Sequence, residues 1–165
     1  MHHKTQGFTL IEMLVVLAII AILAMMAIPS SAPLKMRQQV AEIVGYVEPL
    51  KANIESLYIL NGFEFPTTNT LAGLPDADKL ISSQITSVEM LDGAFHIQLG
   101  NSVYPALKGK TITVQPLVVI DSPNSPIDWL CGLAAPPEGM QAVGANKTDI
   151  DNLMLPSACR GKIKS

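Results

Sequence analysis

The stretch from Gln6 to Pro29, QGFTLIEMLVVLAIIAILAMMAIP, constrains this chain more than any other feature. From Met13 to Ile28 it holds no polar side chain, and Glu12 is the only charge between Lys4 and Lys35. At about 1.5 Å per helical residue, Phe8 to Ile28 is long enough to cross a hydrocarbon core of roughly 30 Å. A carboxylate at the centre of such a helix costs roughly 2.5–3.5 kcal/mol on insertion, and less near the helix end. Glu12 lies near the end, and its presence predicts a positive partner on another chain.

A secretory signal has a basic start, a shorter apolar core and a small-residue cleavage site after that core. Here Met1 to Gly7 is short and polar, and the small residue, Gly7, precedes the apolar run. A cut after Gly7 would remove the leader, keep the helix and create an α-amino group at Phe8. That amine is the cation a neighbouring copy could offer to Glu12. Lys4 on the short side predicts a cytoplasmic N-terminus and an exported remainder.

The 165 residues are 48% hydrophobic, but the excess is concentrated at the front; the rest has ordinary globular composition. The chain therefore reads as an anchor plus one head. Its net charge of −3 gives no general attraction to nucleic acid or anionic lipid, and only Arg160 to Lys164 is locally basic. The two cysteines, Cys131 and Cys159, form an even pair beyond a membrane segment, which suggests a disulfide in an oxidising compartment. Such a bridge would contribute about 3–4 kcal/mol on the chain-entropy model.

Gly7-Phe8-Thr9-Leu10-Ile11-Glu12, followed by an unbroken apolar helix closed by Pro29, resembles the start of a type IV prepilin. The resemblance implies cleavage after Gly7 by a prepilin peptidase, N-methylation of Phe8, and subunit docking through Glu12. Ile112 to Gly132 is similar to the last strands of type IVa pilins, where a Trp-x-Cys opens the disulfide, and Leu155 to Lys162 is similar to the segment that closes it. The chain departs from many members at Ala21, where they carry glycine, and at Ser31 and Leu34, where they carry tyrosine; Arg37 keeps their arginine.

After Pro29, Val40, Ile43, Val44, Val47, Leu50, Ile54, Leu57 and Tyr58 follow three-and-four spacing, an amphipathic stripe for the head's core. Asn61-Gly62 is a C-cap signal. The whole helix, Phe8 to Asn61, would run about 80 Å, with kinks at Pro29, Pro33 and Pro49. Phe63 to Gln84 reads as a long loop with a short helix near Asp76 to Ser82. Strands are expected at Ile85–Leu91 and Ala94–Leu99, flanking the hairpin signal Asp92-Gly93, then at Thr111–Ile120 and Ile127–Leu133.

The expected fold is α+β: a long N-terminal helix packed on a four-stranded antiparallel sheet with a C-terminal disulfide loop. Residues 1–7 are the leader, 8–28 the transmembrane and assembly helix, 29–62 the amphipathic helix and 63–165 the head, with its disulfide loop at 131–159. Trp129 is expected to pack beside the disulfide, and His96 lies in a strand.

No phosphate loop, metal-spaced cluster or nucleophile elbow occurs, so neither enzyme activity, a cofactor nor a metal is expected. Asp76 and Asp78 lack the rest of a calcium-loop ligand series, and Asn146-Lys147-Thr148 is a sequon without weight in this context. Ser165 is a candidate O-glycan site by the pilin resemblance.

The leading reading is a structural pilus subunit, polymerising with itself or with other pilins. Its partners would be the prepilin peptidase and the inner-membrane assembly machinery. It would reside in the inner membrane before assembly and in an extracellular pilus after it, serving adhesion, twitching motility or DNA uptake. The alternatives are a minor pilin that binds DNA through Lys147, Arg160, Lys162 and Lys164, and a type II secretion pseudopilin, against which the cysteine pair argues. Removing the leader takes Lys4 with it, leaving 14 acidic side chains against a smaller basic set, which disfavours DNA.

Overall fold

The computed structural model describes residues 8–26 and 32–162, and Gly7, Pro29, Lys164 and Ser165 lie outside the described residues. Two compact units divide at Ala32 and Pro33.

The first unit is built on helix α1, Leu10–Met26. Its residues are apolar on every face apart from Glu12, so no stripe selects one side for burial. Among the described residues no helix is long and apolar enough to cross a membrane. The expected span, Phe8 to Ile28, ends beyond the described part of α1.

The second unit starts at the second residue of α2, Ala32–Gly45, and continues into α3, Glu48–Leu60. The expected single helix is interrupted here. Tyr46 and Val47 turn tightly, their N–H groups donating three residues back to Ile43 and Val44. Pro49 is the cause: it has no N–H for the Gly45 carbonyl and instead occupies the first turn of α3, where that donor is not needed. Pro33 has the same position in α2. At the far end, the Asn61-Gly62 signal becomes a Schellman cap. Gly62 has φ +71°, its N–H donates to Ile59, and the Phe63 N–H donates back to Tyr58 at 2.8 Å. The accompanying apolar contact is the edge-on pair of Tyr58 and Phe63, with ring centroids 5.6 Å apart.

The helices cover one face of an antiparallel sheet. Its strands are β1 (Ile85–Leu91), β2 (Ala94–Leu99), β3 (Thr111–Val119), β4 (Asp128–Cys131) and β5 (Met140–Ala142). Their order is β1-β2-β3-β4, with β5 also on β3. The sheet thus has five strands where four were expected. β5 is only three residues long and has no run of β-formers to announce it. Leu117 faces Asp128 on one side and Ala142 on the other, so β2 and β5 share one edge of β3 while β4 takes the other. Pro116 is tolerated in this central strand because its missing N–H points to the gap between β2 and β5, where its carbonyl accepts from Val143.

Met36, Val40, Ile43 and Ile54 from the helices and Val47 from the turn between them meet Val88, Met90, Phe95, Ile97, Ile112 and Val114 from the sheet to form the core. The Asp92-Gly93 turn has positive φ at both residues, 48° and 83°, as a two-residue type I′ hairpin requires. The expected loop, 63–84, contains one 3-10 turn, Ala77–Lys79.

Asn69, in that loop, closes the outer edge of β1. Its buried amide donates to Val88 at 3.0 Å and to Pro75 at 2.9 Å, and its oxygen accepts from the Met90 N–H at 2.6 Å. It supplies the pairing a further strand would have given. Asn69→Ala should leave these backbone groups unpaired and cost about 1–3 kcal/mol. Urea unfolding of the full chain in mild detergent, followed by fluorescence of its single tryptophan, would measure the loss.

Candidate assembly site

Thr9 starts α1. Its carbonyl accepts from the N–H groups of Glu12 and Met13 at 3.1 and 3.3 Å, and its hydroxyl oxygen accepts from the Glu12 N–H at 3.4 Å. Thr9-Leu10-Ile11-Glu12 therefore has the spacing of a capping box, a signal the sequence reading passed over. The same residue type at the third helical position favours the positive end of the helix dipole. Glu12 is solvent-exposed and one turn from Phe8.

The rest of α1 is equally bare. Phe8 is 76% exposed, and Val16, the least exposed of its large apolar residues, is still 44% exposed. The arrangement is an apolar rod whose single acid sits at the end where cleavage after Gly7 would place an amine.

The head presents a second set of residues singled out by sequence. Cys131 and Cys159 are joined, with their Cα atoms 4.7 Å apart. Gly132, at φ +62°, lets the chain pass the bridge: a Cβ there would lie 2.6 Å from the Cys159 carbonyl oxygen. Trp129 packs towards Phe95, with centroids 5.7 Å apart, and its indole N–H donates to Glu55 at 2.7 Å. The Lys51 ammonium lies 5.5 Å from the Trp129 ring centroid. Trp129 therefore links β4 to α3, the half-buried core role its position suggested.

Inside the disulfide loop, residues 143–149 cross the face of the sheet opposite the helices. The strap starts where the Val143 N–H donates to Pro116. Gln115 then donates to Gly144 at 2.7 Å, Asn146 donates to Gly132, and the Lys147 N–H donates to the Thr113 hydroxyl at 2.9 Å. It ends at Asp149, which exchanges hydrogen bonds with the Thr111 backbone. The sequon residues Asn146, Lys147 and Thr148 are thus all used to pin this crossing.

His96 lies beneath the strap, 4% exposed, with Nδ1 3.0 Å from the Thr113 hydroxyl. That hydroxyl also accepts from the Lys147 N–H, which ties the ring to the strap through Thr113. Nε2 is buried and has no partner among the described residues. Burial, and then the nearby Lys147 ammonium, hold the imidazole below its ordinary value, while Glu89 and Asp92 oppose them.

Of the basic residues, Lys147 pairs with Glu89 at 3.2 Å, and Arg160 donates to the Leu155 carbonyl at 2.9 Å. Lys162 is exposed at the end of the described chain. The structure brings the cysteines together but ties Lys147 and Arg160 to different neighbours.

A His whose folded-state value is lowered contributes stability above its unfolded value, near 6.5, and loses it as pH falls. Unfolding free energy should therefore drop between pH 7.5 and 5, by up to about 1.4 kcal/mol per pH unit from this group. His96→Asn should flatten that part of the curve; equal slopes in both proteins would assign the acid sensitivity elsewhere.

Residues 36–160 match the model of the family described as pilin (bacterial filament), and residues 2–28 match the prokaryotic N-terminal methylation motif. The chain is similar to a fimbrial protein of Neisseria meningitidis serogroup B, with 32% identity over 164 residues, or 94% of each chain. It is 30% identical over 161 residues to type IV major pilin protein PilE1 of Neisseria gonorrhoeae, covering 94% of this chain and 87% of that one. A fimbrial protein of Pseudomonas aeruginosa is 38% identical over 120 residues, which is 66% of this chain and 77% of the relative.

Proposed function

This chain belongs to the pilin family of bacterial filament proteins, and we propose that it is cut after Gly7, methylated at Phe8 and polymerised through Glu12 and α1 into a type IV pilus as a structural subunit. The observation that carries this reading is α1 itself: a helix exposed from Leu10 to Met25 and apolar but for one carboxylate in its first turn. Such a surface is stable only in lipid or among other apolar helices.

Before assembly the membrane provides that environment, with the N-terminus cytoplasmic and the head exported. Prepilin peptidase is the enzyme that would remove the leader, and the inner-membrane assembly machinery would extract the subunit. On docking, the Phe8 amine of one copy neutralises Glu12 of another, which offsets the desolvation of both. The apolar rods then bundle. Because lipid tails are as apolar as the side chains they leave, packing fit between the helices must supply much of the hold. The similarity to fimbrial and major pilin proteins over nearly the whole chain supports a filament-building role.

Two measurements test this. Filaments sheared from cells expressing the chain should yield an N-terminal peptide beginning at methylated Phe8. Glu12→Ala should leave membrane insertion and cleavage intact while reducing filaments by at least about tenfold; wild-type piliation in that variant would overturn the assembly role.

A further inference from the structure

The head, residues 33–162, is electrically two-ended. One end, here the α3 end, gathers the C-terminus of α3, the Asp92-Gly93 turn and the last residues of β3. Tyr58 stacks on Phe65 with centroids 4.3 Å apart, and the Gly93 N–H donates to Pro66. Asp128 is register partner to Leu117, and Gly139, next to Glu138, accepts from the Ile120 N–H. The opposite end, the α2 end, gathers the start of α2, residues 99–111 and the chain terminus. Gln39 reaches Ser102 and Tyr104, Arg37 donates to Leu153 at 2.9 Å, and Asn152 bonds Gly161 through both backbone groups.

Charge divides between these ends. The α3 end carries Glu55, Glu64, Asp92, Asp121, Asp128 and Glu138 and, among the described residues, no lysine or arginine. The α2 end carries Lys35, Arg37, Lys108, Lys110, Arg160 and Lys162. Its three acids are engaged within the head: Glu42 with Gln84, Asp149 with Lys110, and Asp151 with the Leu153 N–H. Between the ends, Lys51, Lys79 and Lys147 are each paired with a carboxylate and add little net charge to either. The C-terminus of α3 and the N-terminus of α2 add partial charges of the same signs.

Shape follows charge. At the α3 end two pockets of about 410 and 270 Å³ lie on either side of Phe63, floored by Tyr58, Phe65 and Val118 in one and by Ile59 and Ile127 in the other. Glu64, Asp92 and Glu55 rim them. At the α2 end, Leu34 and Leu153 stand 57% and 62% exposed beside the cations.

We propose that the acid-rimmed groove at the α3 end receives the α2 end of a second copy of this chain, with Leu34 and Leu153 entering it and Lys35 and Arg37 facing its carboxylates. The contact uses different patches on the two partners, so it repeats without closing and generates a line of heads. It rests on the filament reading above and adds a head-to-head contact to the helix bundle. The attraction between exposed charges selects the polarity and register of the incoming head more than it adds affinity.

Charge reversal in the full chain, in cells that assemble it, tests the contact. Asp92 and Asp121 are left alone because both hold positive φ. Glu64→Lys with Glu138→Lys, and separately Lys35→Glu with Lys162→Glu, should each lower sheared filament yield by about tenfold or more. Combining the two sets should restore it. Filaments at wild-type level in either reversed set, or no recovery in the combination, overturns the proposal. Each protein is checked for its disulfide and its thermal midpoint. Where a reversed set does not accumulate, Glu64→Gln with Glu138→Gln replaces it, and filament fragmentation by salt is read. Reduced salt sensitivity supports the contact, and unchanged sensitivity overturns it. Normal filaments in the charge variants alongside a defective Glu12→Ala reject this contact alone; normal filaments in Glu12→Ala reject the filament reading.

Discussion

The apolar surface of α1, exposed at every described side chain, is the constraint that governs the rest of this molecule. A helix with no polar face cannot be stabilised by water, and α1 is exposed on every side. The burial that makes α1 stable must come from lipid or from other subunits. That requirement makes a single carboxylate informative. In a water-facing helix, Glu12 would be one more first-turn acid favoured by the dipole. In a helix destined for an apolar bundle, it is a group whose burial is tolerable only with a counter-charge in place.

The head builds its core from its own elements. Its core is made from one face of α2 and α3 and one face of the sheet, with no contribution from α1 among the core residues. The other face of the sheet is unusual in being both polar and covered. His96, Thr113 and Gln115 are buried there under a strap of irregular chain. Buried polar groups without partners are costly, and here the strap's backbone supplies most of the partners. The disulfide then restricts the strap at both ends, since it lies within the loop that Cys131 and Cys159 close.

Much of this was legible in the residues. Two strands, Ile85–Leu91 and Ala94–Leu99, coincide with expectation because alternation and an Asp-Gly turn are local signals. The amphipathic stripe likewise located the helix face that packs inward. Pro49 predicts a kink because it marks a disturbance without stating how the chain resolves it, and the chain resolves it as a break at Tyr46–Val47. The strap and β5 were not legible. Their order depends on tertiary partners such as Gln115 and Thr111, which no window of the sequence places opposite residues 140–149. Asn69 was hidden for the same reason: its amide works on a strand about twenty residues away. At the start of α1 the spacing of Gly7, Phe8 and Glu12 is plain in the sequence, whereas the capping role of the Thr9 hydroxyl shows only once the helix start is fixed.

The strap also divides the disulfide loop into two kinds of sequence. Ala135 to Gly139 are exposed, and the side chains there take part in no hydrogen bond found among the described residues. Residues 143–149, by contrast, are held to the sheet through nearly every position. Inserting a residue in the second stretch would shift Lys147 and Thr148 off Thr113 and uncover His96. Inserting one between Ala135 and Pro137 would lengthen a surface bulge without moving the sheet. A lineage under pressure to change its outer appearance could therefore rewrite Ala134 to Pro137 at little cost to the fold, while Glu138 stays tied to the contact proposed for it and residues 143–149 stay fixed by the sheet beneath them.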